Sequence, residues 1–189
     1  MDINSISALV IDVDGVLTDG GLHYGVEQTS GPGAAEQSKT FCVQDGVAVK
    51  LWCAARGRVA VLSGRTSPSV AARGRELGIE MIVQGSDDKL AAFERICAEW
   101  SLDPRCAAYM GDDLPDVAPL RRCGFPIAPA NAVPAVKRVA QFITQRRGGD
   151  GAVREAVEWL LCKQQRWKNP ATPASQSEIG NRKSGIPLG

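Results

Sequence analysis

Five short apolar runs, at residues 7–13, 58–62, 79–83, 106–110 and 124–128, punctuate this 189-residue chain. Runs of that length, bounded by turn residues, predict buried strands. Helical spacing fills the intervals. "DKLAAFERICAEW" puts Leu90, Phe93, Ile96, Cys97 and Trp100 on one face, and "AVREAVEWLL" does the same with Val153, Val157, Leu160 and Leu161. Trp52, Trp100 and Trp159 read as core residues on such faces. Alternating strands and helices predict an α/β fold, a Rossmann-like parallel sheet with helices on both faces. In such sheets ligands bind beyond the carboxyl ends of the strands.

That edge is where the polar residues gather. After the first run come Asp12 and Asp14; after the second, "SGR", Ser63 to Arg65; after the third, "QGSDDK", ending at Lys89; after the fourth, "GDDLPD", Gly111 to Asp116. A parallel sheet brings all four segments to one place. Carboxylates crowded there repel: two unit charges about 4 Å apart interact by roughly 4 kcal/mol at a surface-like effective dielectric. A hard divalent cation removes that penalty, and oxygen ligands with retained water suit Mg²⁺. Such a metal is commonly completed by phosphate, for which the Ser63 hydroxyl and the Lys89 ammonium are suitable donors. With Gly15 permitting a tight exit from the strand, one acid of the D-x-D pair can attack phosphorus while the other handles a proton.

Composition narrows the classes further. The net charge of +1 gives no general attraction for nucleic acid or an anionic membrane. The apolar runs are too short to span a bilayer. "MDINSIS" lacks the pattern of a secretion signal. Six scattered cysteines form no C-x-x-C pair, and with His23 as the single histidine a structural zinc site is disfavoured. Most of the cysteines read as small core fillers, and a reducing cytoplasm is the expected compartment.

Residues 20–43 break the rhythm, with apolar ends around a Gly/Pro/Ser-rich middle. They predict a β-hairpin with a long, mobile tip near 28–37, overhanging the acidic site. Residues 168–189 lack apolar periodicity and are expected to be disordered. The domain expected from these limits spans 1–165.

"DVDGVLTDG", "SGR", Lys89 and "GDDLPD" resemble, in order, the four motifs of the haloacid dehalogenase superfamily of phosphohydrolases. "DGVLTDGGLHY", "FCVQDGVAVK", "LGIEMIVQGSDDK" and "GGDGAVRE" resemble its cap-less branch, typified by 3-deoxy-D-manno-octulosonate 8-phosphate phosphatase. The match covers about residues 6–162. It implies a hairpin insert in place of a cap domain. It also implies Mg²⁺-dependent hydrolysis of a small phosphorylated sugar acid, 3-deoxy-D-manno-octulosonate 8-phosphate, to the free sugar acid and phosphate.

On this resemblance Asp12 is the nucleophile that forms an aspartyl-phosphate, and Asp14 is the general acid and base. Asp12, the Asp14 carbonyl and Asp112 bind the metal, with Asp113 in support. Ser63 and Lys89 hold the phosphoryl group, and Gly64, Arg65 and Asp45 are expected to contact substrate. The branch forms homotetramers, so His23 to Val43 and Gly148 to Arg154 are expected to reach substrate across subunits. At two positions where the branch commonly carries arginine, this chain has Gln44 and Asp150; Arg146, Arg147 and Arg154 stand nearby.

Other readings have less behind them. A related nonulosonate 9-phosphate is an alternative substrate. A phosphoryl-accepting receiver has the opposite order of paired and lone acids. A non-catalytic oligomerisation module, as found beside sialic-acid-activating domains, has no need of the full set of acids.

Overall fold

The structure is a computed structural model and describes residues 2–26 and 35–167. Most of the expected hairpin tip and the tail from 168 onward lie outside the described residues.

Six parallel strands form the main sheet: β1 (Ala8–Ile11), β4 (Arg58–Leu62), β5 (Met81–Val83), β6 (Ala107–Met110), β7 (Phe125–Ala128) and β8 (Phe142–Ile143), in the spatial order β5-β4-β1-β6-β7-β8. Their numbers leave room for a separate antiparallel pair, β2 (His23–Val26) and β3 (Ala35–Ser38), in register from His23↔Ser38 to Val26↔Ala35. The helices are α1 (Val43–Ala54), α2 (Pro68–Leu77), α3 (Lys89–Glu99), α4 (Val117–Arg122), α5 (Pro134–Lys137) and α6 (Ala152–Lys163).

Apart from Arg58, which opens β4, the strands of the main sheet are apolar because both of its faces are covered. Side-chain alternation then sorts them into two cores. Leu9, Ile11, Val59, Val61, Ala108 and Met110 pack with Val49 and Trp52 of α1 and with Val153, Val157 and Leu160 of α6. Ala8, Val10, Ala60, Leu62 and Tyr109 pack with Phe93 and Ile96 of α3, Leu120 of α4 and Val136 of α5. Small residues on the second face let α3 lie close, and Phe93 meets Tyr109 edge-on at 5.6 Å between ring centroids.

The central strands fall inside the predicted runs. β8 was not predicted: two residues carry too little alternation to register. Of the six cysteines only Cys97 and Cys123 are buried. Burial raises their thiols to about 11 and about 12, so both are inert packing groups. Cys53 is half-buried and packs against the first core, Cys42 and Cys106 are half-buried, and Cys162 is exposed, so core filling holds for fewer of the cysteines than expected. No helix among the described residues is long and apolar enough to cross a membrane.

Leu9 sits on the central strand with no solvent exposure. Leu9→Ala is expected to lower unfolding stability by about 2–5 kcal/mol, read by urea denaturation; a loss under about 1 kcal/mol would contradict the packing described.

Candidate active site

β1 hands over to a tight loop. The Asp12 N–H still donates to the Met110 carbonyl at 2.9 Å, so the first acid is held on the sheet ladder. The chain then turns through Gly15 at φ +83°. A Cβ there would lie 2.0 Å from Oδ2 of Asp112, so only glycine lets the loop and the second acidic segment approach this closely. The Thr18 N–H and hydroxyl both donate to the Val13 carbonyl, at 3.0 and 3.1 Å, and close the loop.

The other strand ends converge on it. A cleft of about 390 Å³ is lined by Asp12, Asp14, Gly20, Ser63, Gly64, Arg65, Lys89, Asp112, Asp113 and Pro115. Every site residue expected from the sequence is there except Asp45.

Lys89 opens α3 and reaches back across the sheet edge. Its Nζ lies 2.8 Å from Oδ1 of Asp12 and 2.7 Å from Oδ1 of Asp116, with all three side chains buried. Burial alone would lower the lysine's pKa; the two carboxylates outweigh that, and the net shift is upward, so it stays charged. Asp116 gathers donors on both oxygens. Lys89 and the Tyr109 hydroxyl (2.8 Å) bond Oδ1, and the N–H groups of Asp112 and Asp113 bond Oδ2 at 3.1 and 3.2 Å.

Carboxylate oxygens of Asp12, Asp112 and Asp116 lie within 4.8 Å of one another. Asp112 is pushed up to about 7, by burial first and then by Asp116 and Asp113. Asp12 is also raised, by burial and then Asp116, despite Lys89 beside it. Hard oxygen donors this close and this reluctant to ionise fit a divalent cation. With Asp116 occupied by four donors, Asp12 and Asp112 are the side chains best able to hold one.

The expected ligands were Asp12, the Asp14 carbonyl and Asp112, with Asp113 in support; the carboxylates of Asp113 and Asp14 have other partners here. Asp113's carboxylate accepts its neighbour Leu114 N–H at 2.7 Å and caps the short turn 114–116, so Asp116, not Asp113, joins the acidic cluster. Asp14's carboxylate is paired with Lys39, from the segment after β3.

Asp45 is the larger correction. Its buried carboxylate accepts the N–H groups of Gly151 (3.3 Å) and Arg154 (2.8 Å) at the start of α6. It braces α1 to α6 instead of facing the cleft, because the open N–H groups of a helix start are its natural partners. Gln44, Arg146 and Arg154 line a separate cavity of about 550 Å³ beside that brace.

Sequence reasoning missed Asn131. Its side chain donates to the Gly15 carbonyl at 2.8 Å and accepts the Gly148 N–H at 2.7 Å, tying the nucleophile loop to the glycine segment before α6. Nothing in "PANAV" marks such a role; only the fold brings its partners together.

Comparison with known proteins follows the same lines. A model of haloacid dehalogenase-like hydrolases matches residues 67–155. The chain is 34% identical over 160 residues to 3-deoxy-D-manno-octulosonate 8-phosphate phosphatase KdsC of Yersinia pestis, covering 85% of this chain and 82% of the relative. It is 36% identical over 160 residues to KdsC of Escherichia coli strain K12, covering 85% and 81%. Among solved structures it resembles the Moraxella catarrhalis phosphatase of that name, in complex with magnesium, phosphate and KDO (TM-score 0.81, 37% identity, 86% of this chain and 90% of that one). The cobalt-bound form from Haemophilus influenzae is similar as well, with TM-score 0.78, 36% identity, and coverage of 86% and 91%.

Without metal, Asp112 keeps its proton to a higher pH in the folded than in the unfolded chain. The folded state then binds more protons between about pH 4 and 7, so stability falls as pH rises through that window. A divalent cation removes the cost of ionisation. Millimolar Mg²⁺ is therefore expected to raise Tm more at pH 8 than at pH 5.5 in a thermal-shift assay; an equal rise at both would argue against these carboxylates as its ligands.

Proposed function

Because the chain belongs to the 3-deoxy-D-manno-octulosonate 8-phosphate phosphatase family of haloacid dehalogenase-like hydrolases, we propose that it hydrolyses that sugar acid phosphate to KDO and inorganic phosphate. The observation that carries the reading is the meeting of four distant loops in one cleft: Asp12 against Lys89, with Ser63, Gly64, Arg65 and Asp112 around it.

The chemistry follows from where each group stands. Asp12 is the nucleophile: an oxygen of its carboxylate forms a bond to phosphorus while the bond to the sugar oxygen breaks. Lys89 favours the ionised form of Asp12 and lies where it can hold a phosphoryl oxygen, with the Ser63 hydroxyl and the Gly64 and Arg65 segment as further donors. Asp14 gives its proton to the departing alkoxide. It then takes one from the water that attacks phosphorus, releasing phosphate and restoring the Asp12 carboxylate. A Mg²⁺ ion bound at Asp12 and Asp112, with the Asp14 carbonyl, would neutralise phosphoryl charge. Asp116 is the residue that keeps Lys89 in place.

The finer assignments form part of the same proposal. Residues 1–165 act as the catalytic domain, with the hairpin in place of a cap. The protein works as a homotetramer, supported by Val43 and Val47, which expose 74% and 44% of their surface one turn apart at the start of α1, next to the hairpin. The compartment is the cytoplasm, in keeping with six free cysteines.

The test is phosphate release from a panel including octulosonate 8-phosphate and nonulosonate 9-phosphates. The octulosonate ester is expected to give the highest kcat/KM; a nonulosonate ester surpassing it would reassign the substrate. Asp12→Asn is expected to lower kcat by at least roughly 10³-fold with the fold intact by circular dichroism. Exhaustive EDTA treatment is expected to abolish turnover and Mg²⁺ to restore it. Comparable turnover by either preparation would remove the nucleophile or the metal from the mechanism.

A further inference from the structure

Two lysines pair with acids of the cleft, and the mechanism so far uses one. The other is Lys39. Its side chain is 1% exposed and its ammonium pairs with the Asp14 carboxylate, which is 24% exposed. A lysine is seldom covered so completely without a partner that repays its lost hydration. Here the partner is the acid assigned to proton transfer.

The backbone holds Lys39 in place. Two residues further on, Phe41 forms an isolated antiparallel bridge with Thr18, at the exit of the loop that carries Asp12 and Asp14. One residue before it, β3 ends in the hairpin ladder at Ser38. The lysine therefore spans the short stretch between two fixed points, on the side of the cleft nearest the hairpin.

The two strand-end acids are thus handled separately. Lys89, from α3, takes Asp12 toward Asp116 and the acidic cluster. Lys39, just after the hairpin stem, pairs with Asp14. Left alone, a flexible aspartate beside a cluster of hard oxygen ligands could sample several rotamers, and proton transfer demands one of them. We infer that Lys39 is a positioning residue for Asp14: it holds the carboxyl group where its proton can pass to the leaving oxygen, and where the carboxylate left behind, paired with the ammonium, can take a proton from the attacking water. The hairpin then has a part in the chemistry through its stem.

The inference rests on the phosphatase reading, and its test turns on leaving groups. A sugar alkoxide is strongly basic and departs only with a proton from Asp14, whereas nitrophenolate is weakly basic and departs unaided. The quantity to compare is kcat/KM, which reports the steps through departure of the leaving group. K39M is expected to lower kcat/KM for the sugar phosphate at least about 10-fold more than for p-nitrophenyl phosphate. D14N should show the same bias, and adding K39M to D14N should cost less than about 3-fold more. K39R, which keeps the charge, should restore the ratio to within about 3-fold of the parent. If K39M fails to fold, K39Q carries the same comparison.

Equal losses on both esters, no loss on either, or losses that multiply in the double variant would overturn the assignment. Absence of Mg²⁺-dependent turnover of either ester by the unsubstituted protein would instead overturn the phosphatase reading, and this inference with it.

Discussion

The site depends on one buried cation. Lys89 sits between Asp12 and Asp116 at under 3 Å from each, almost wholly buried at the floor of the cleft. Ion groups in such a place are poor contributors to net stability, yet removing one partner costs about 3–5 kcal/mol because the others are left uncompensated. What the triad secures is geometry. Asp116 has four donors and no freedom, so Lys89 has a fixed anchor and Asp12 a fixed neighbour. Three acids and one lysine still leave an excess of negative charge. That excess makes the cleft a receptor for a divalent cation, and through it for a phosphate ester.

The sheet explains why these groups can meet. Asp12, Ser63, Lys89 and Asp112 all follow carboxyl ends of adjacent parallel strands, so the order β5-β4-β1-β6 is also the order of their approach. The flanking cores differ in purpose. One binds α1 and α6, whose mutual brace is Asp45; the other binds α3, which delivers Lys89. The nucleophile loop is held from below by Asn131 and Gly148 and from the hairpin side by the Thr18–Phe41 bridge.

Much of this was legible in the sequence, for a physical reason. Strands buried on both faces read as unbroken apolar runs, and a parallel sheet collects the residues that follow them. Eight of the nine residues expected in the cleft line it, and each of the eight follows a strand end. Where reading failed, the deciding contact was either very local or very distant. Asp113 and Asp116 are the same residue type three positions apart, and only the turn between them determines which one caps and which faces the cluster. Asp45 sits in "QDGV" like a residue poised for substrate, but its partners lie 106 and 109 residues away. Lys39 was passed over inside a segment read as a hairpin. Asn131 carries no local signal at all.

Gly148 and Gly149 press so closely on the nucleophile loop that a Cβ on the first would fall 1.8 Å from the Gly15 carbonyl, while the Gly149 N–H donates to Val16. The loop is specified near the amino terminus, yet its support arrives more than 130 residues later. A ribosome must therefore have delivered nearly the whole domain before the attacking carboxylate has its final surroundings. Order of synthesis becomes a safeguard: a nascent or prematurely terminated chain carries the reactive aspartate without the floor beneath it.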